Sequence, residues 1–151
     1  MAAPTSLAFR ALDHHVVRGL ADEPALRDAA GQLTYAELLH ESAVIAGALR
    51  LLGLADADEL HLDLTGRDRV VAVLAALRLQ ARPGGADGPR IVGAPPVATI
   101  GGETVPWEAL RALGRTDPLP APAEDLAEVM AWHREHADVV DPLLAGRTID
   151  L

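Results

Sequence analysis

The run from Val70 to Leu77 contains no polar side chain. A helix that is apolar on every side has to be covered on every side. Just before it, Leu60, Leu62 and Leu64 alternate with His61 and Asp63, the period of a strand with one apolar face. A half-buried strand feeding a helix over Arg67 to Leu79 requires layers, because the helix needs a sheet to lie on. The fold class read from this alternation is α/β, a layered sheet flanked by helices. Half the residues are apolar, but the aromatic ones are only Phe9, Tyr35, Trp107 and Trp132, so Leu, Val and Ala must fill the interior.

Other segments read in the same way. Thr5 or Ser6 caps a first helix carrying Leu7, Leu12, Val16 and Leu20, with Gly19 near its end. Ala25 to Asp28 and Gln32 to Thr34 read as a hairpin around Gly31. Thr34 with Glu37 forms a capping box for a helix that carries Leu38, Leu39, Ile45, Ala46, Leu49 and Leu52 and stops at Gly53.

From Ala81 to Pro96 the chain is rich in Pro and Gly, marking a loop or joint. Ile91-Val92 and Ala98 to Ile100 read as short strands, and Gly101-Gly102 turns toward Thr104-Val105. Pro106 suits the first turn of a helix with Trp107, Leu110 and Leu113. Pro118, Pro120 and Pro122 make a stiff linker. A last helical region begins near Glu124 with Leu126, Val129, Met130 and Trp132, and Pro142 is expected to divide it from the tail. Residues 1-83, 84-123 and 124-151 form three successive regions on this reading. The stretches Gly31 to Leu38 and Gly102 to Glu108 share one local pattern, a strand entering a helix with an aromatic in its first turn.

The fragments Glu23-Pro24-Ala25-Leu26-Arg27-Asp28, Gly31-Gln32-Leu33-Thr34-Tyr35-Ala36-Glu37-Leu38, Leu49-Arg50-Leu51-Leu52-Gly53 and Leu74-Ala75-Ala76-Leu77-Arg78-Leu79 occur in this order. In order and spacing they resemble the N-terminal subdomain of AMP-binding, adenylate-forming enzymes, the acyl-CoA synthetases and peptide synthetase adenylation domains. Val105 to Leu110, the proline run and Asp125 to Met130 look like the approach to that family's phosphate-binding loop. There the resemblance implies a Thr-Ser-Gly-rich sequence ending in Pro-Lys-Gly, but this chain reads Ala131-Trp132-His133-Arg134-Glu135-His136. All 13 basic residues are Arg, so no lysine ammonium is available to phosphate. The family's ribose-binding Asp and its C-terminal subdomain with the catalytic Lys have no counterpart in these residues. No residue carries over as catalytic, and no cofactor is assigned.

The resemblance therefore implies a truncated, non-adenylating relic kept as an interaction or scaffold module, a homodimer or a partner protein covering apolar surface. Two alternatives stand beside it: one subunit of a split acyl-CoA synthetase, or a small enzyme or ligand-binding protein on a repurposed fold.

A formal charge of −9 opposes nucleic acid and anionic membrane as partners. The absence of a signal-like N-terminus and of long apolar runs places the expectation in the cytoplasm. No Cys means no thiolate chemistry. His133 and His136, one helical turn apart with Glu135, Asp138 and Asp141, have the donor types of a divalent metal site, although polar helix faces of this kind are ordinarily just solvated. His14-His15 with Asp13, or His61 with Asp63, have the types of an acid-base pair. No activated nucleophile accompanies them: Ser42 is mid-helix, and Ser6 and Thr34 are caps. Gly84-Gly85 and Gly101-Gly102 lack phosphate-loop spacing and read as turns.

Overall fold

A computed structural model describes residues 3–151. Its first segment is helical with wide π-type turns over Phe9–Asp13 and Val16–Leu20. Ser6 caps it, its Oγ accepting the Phe9 N–H at 3.2 Å. Gly19, at φ 95°, sits where the last turn leaves right-handed geometry.

Strands β1 (Pro24–Asp28) and β2 (Gly31–Thr34) form the expected antiparallel hairpin. Helix α1 (Tyr35–Leu51) follows through the capping box: Thr34 Oγ1 accepts from Glu37 N at 3.2 Å, and Glu37 Oε1 accepts from Thr34 N at 3.0 Å. Strand β3 (Glu59–Asp63) leads into α2 (Gly66–Leu79). Every residue of α2 from Val70 to Leu79 is buried, as its sequence demands. Helix α1 is buried on most of its circumference as well, between α2 and helix α3 (Trp107–Gly114).

The joint after α2 contributes more sheet than its composition suggests. Arg82–Pro83 (β4) returns to pair parallel with β3, and Arg90–Val92 (β5) pairs parallel on the other side. Val97–Ile100 (β6) and Glu103–Pro106 (β7) complete the order β4-β3-β5-β6-β7 by antiparallel pairing. Gly101 and Gly102 provide the positive-φ turn between β6 and β7. The proline run is no free spacer. Leu119 N donates to Ala43 O on α1 at 2.9 Å, and Asp117 O lies where any Cβ on Gly47 would stand.

One expectation needs correction. The C-terminal helical region is broken at His136 (φ −128°, ψ 42°), between α4 (Met130–Glu135) and α5 (Ala137–Leu144). Pro142 lies inside α5 and does not divide it from the tail. A proline at this late helical position loses only one internal bond, and Ala145 N still reaches Asp141 O. Ile149–Asp150 (β8) then pairs parallel with β1, giving a second sheet of order β2-β1-β8. One continuous apolar cluster runs from Leu7 through Leu60 and Trp132 to Ile149, so residues from all three sequence regions share it. No helix among the described residues is long and apolar enough to cross a membrane.

Candidate functional site

Two corners of the molecule are built alike. Strand β2 turns into α1 with Tyr35 as the first helical residue, and β7 turns into α3 with Trp107. The shared pattern of Gly31 to Leu38 and Gly102 to Glu108 is this strand-to-helix corner. Between the corners lies a cleft of about 510 Å³. Leu33, Val71, Pro96, Val97 and Trp107 supply apolar lining, and Glu41, Arg67, Asp68, Glu108 and Arg111 supply charge.

The charged groups are not equivalent. Arg67 grips Asp28 with two hydrogen bonds, at 2.7 and 2.9 Å. Arg111 makes the same fork to Glu41, at 2.8 and 3.0 Å, and turns its remaining nitrogen to Glu108 at 3.1 Å. Asp28 is held below the usual carboxylate range, first by its hydrogen bonds from Arg67. The carboxylate of Asp68, in the first turn of α2, forms no hydrogen bond or ion pair among the described residues. Its carboxyl is shifted upward, chiefly by burial, which the charges of Arg67 and Arg111 only partly offset. A partly buried carboxylate without a donor thus stands beside the apolar lining of the cleft.

A second recess of about 500 Å³ contains His61, Glu135 and His136 beside Trp132. His61 Nδ1 is 3.3 Å from Gly84 O, the donor geometry of a ring N–H. His136 Nδ1 lies 3.0 Å from Arg69 and therefore accepts. Burial, and then the Arg69 charge, push its pKa below the ordinary histidine value. No hydroxyl or thiol lines this recess.

The sequence-derived candidates separate. His133 pairs with Asp141 at 2.6 Å, whereas His136 stacks on Trp132 and meets Arg69, which also binds Asp138. No described group of three or more potential ligands could hold a metal ion. Asp13 is the partner of buried Arg78. His15 is buried, with Nε2 2.6 Å from Leu143 O and its ring against Tyr35. His61 bonds to Gly84 O and not to its strand neighbour Asp63, and Ser42 donates to Leu39 O within its helix. These are structural roles. The cleft residues were not singled out by sequence reasoning, although the paired corner pattern marked two of its walls.

Where the resemblance places a phosphate loop, the chain forms a short helix anchored by one buried side chain. Trp132 is 1% exposed, and its indole N–H donates to Ala81 O at 2.8 Å. Gln80, in left-handed geometry, ties the end of α2 to the same region by accepting from Leu126 N at 3.1 Å and donating to Glu124 O.

About half of this chain is similar to adenylate-forming enzymes. Among solved structures, a benzoate CoA ligase from Burkholderia xenovorans LB400 is 29% identical over 52% of this chain and 16% of its own, with a TM-score of 0.47. MatB from Rhodopseudomonas palustris is 25% identical over 52% of this chain and 15% of its own, with a TM-score of 0.47. The N-terminal subdomain of Klebsiella oxytoca NpsA, solved with 3-hydroxybenzoyl-AMSN, is 21% identical over 56% of this chain and 22% of its own, with a TM-score of 0.48. The chain thus spans about a sixth of the length of the first two of these structures. No family model matches the sequence, and no curated protein does.

Proposed function

We propose that these residues form a non-adenylating binding module whose recognition site is the cleft beside Trp107. The observation that carries the first half is Trp132. A triphosphate needs mobile backbone N–H groups and a cation gathered around it. Here the corresponding segment is a helix anchored in the core by a buried indole, and the sequence has no lysine to add. Binding is favoured over catalysis because His15, His61, His133 and His136 and the hydroxyls of Ser42 and Tyr35 are engaged in hydrogen bonds, while the cleft keeps the Asp68 carboxylate uncommitted.

The test is an amide-resolved NMR titration with a mixed set of neutral, cationic and anionic fragments. Saturable shifts are expected at the Trp107 indole and at residues 67–71 and 106–111, and Val97→Phe, which fills the cleft, is expected to abolish them with the rest of the spectrum unchanged. Shifts confined to residues 131–136 would overturn the assignment.

Recognition of a partner protein or a second copy through apolar surface has narrower support. Among the described residues, the large exposed apolar ones are Val17, Leu51, Leu126 and Leu151, on four separate segments. Service as one subunit of a split synthetase makes its own distinct prediction, pyrophosphate exchange that appears only on mixing with a chain bearing the loop and the lysine.

A further inference from the structure

The cleft carries an imbalance of charge that specifies a ligand class. Its lining holds three carboxylates, Glu41, Asp68 and Glu108, against two guanidinium groups, Arg67 and Arg111. Asp28, just outside, takes the Arg67 fork, and Glu41 takes the Arg111 fork. An anionic ligand would have to displace one of these bidentate pairs, whereas a cation would meet a free acceptor at once. Resting on the reading of the cleft as a binding site, we propose that it holds a small ammonium compound with an apolar body. The ammonium donates to Asp68, and the hydrocarbon part lies on Val71, Val97 and Trp107. Size is consistent, since about 510 Å³ is within the range of small-molecule sites.

The upward shift of Asp68 supports this geometry independently. Burial without a donor disfavours its charge, and Glu108 and Asp28 add to that effect against Arg67 and Arg111. A bound ammonium supplies the missing charge and donors together.

Three probes of one shape decide the class: phenethylamine, phenethyl alcohol and hydrocinnamate, titrated at neutral pH with the Trp107 indole signal as readout. The amine is expected to bind about tenfold more tightly than the alcohol, because it sets a full positive charge against the carboxylate where the alcohol offers only a hydroxyl dipole. The carboxylate is expected to bind weakest. Asp68→Asn should remove the preference, so that amine and alcohol bind alike. Alcohol or carboxylate binding as tightly as the amine, or a preference that survives Asp68→Asn, would overturn the proposal while sparing the cleft. Silence from all three probes would overturn the cleft reading with it. Should Asp68→Asn fail to fold, acidification of the unaltered chain gives the same answer: amine affinity must fall as Asp68 takes up its proton, and an affinity independent of pH contradicts the proposal.

Discussion

Asp68 and His136 are displaced in opposite senses from their ordinary ranges, and burial is the first cause for both. The consequences for stability differ in sign. The folded state binds the His136 proton less well than the unfolded chain does. The histidine therefore contributes stability that is present above its ordinary value, about 6.5, and lost as pH falls through its depressed one. The melting temperature of the unaltered chain should consequently fall more steeply than that of His136→Gln on acidification from neutral to mildly acidic pH; parallel curves would contradict this. Asp68 works the other way. Folding favours its protonated form, so the stability it contributes is present below the ordinary carboxylate value and lost as pH rises through the raised one. At neutral pH, Asp68→Asn should then melt no lower than the parent, while Asp28→Asn, which removes the Arg67 fork, should melt lower. A fall for Asp68→Asn would mean that the side chain serves the fold and not a ligand.

At the scale of elements, packing is set by close approach. A Cβ on Gly114 would stand 1.8 Å from Val44 O, so α3 lies on α1 backbone to backbone. Gly114→Ala should destabilise by about 1–3 kcal/mol, the usual range for overpacking, measured by urea unfolding. A neutral result would show that α3 can slide away. Trp132→Ala should remove about 3–5 kcal/mol, as for other buried aromatic truncations. How far these elements were legible varies with how local their cause is. The capping box at Thr34 and Glu37, the hairpin at Gly31 and the wholly apolar α2 are each decided by neighbours in sequence, and each stands where the sequence puts it. Strands β4 and β8, of two residues each, carry no periodicity and exist because β3 and β1 offer an edge. The helix break at His136 was misplaced to Pro142 because its cause is tertiary: the ring stacks on Trp132 and accepts from Arg69. The cleft was illegible for the same reason. Arg67, Asp68 and Arg111 lie on two helices, and only the ion pairs to Asp28 and Glu41 reveal which of them is left over.

Taken whole, the chain covers its own helices. Strand β8 closes on β1, the proline run crosses α1, and Trp132 seals the region after Asp125 against the end of α2. Self-coverage leaves a concave, charged-rimmed cleft of about 510 Å³ open beside Trp107. The most direct measurement is ATP–pyrophosphate exchange by the purified chain with magnesium and a panel of carboxylic acids, with amide shifts recorded in parallel. The account predicts exchange at background and no saturable shift in residues 130–136. Exchange above background, with ATP-dependent shifts at Trp132 and its neighbours, would contradict it.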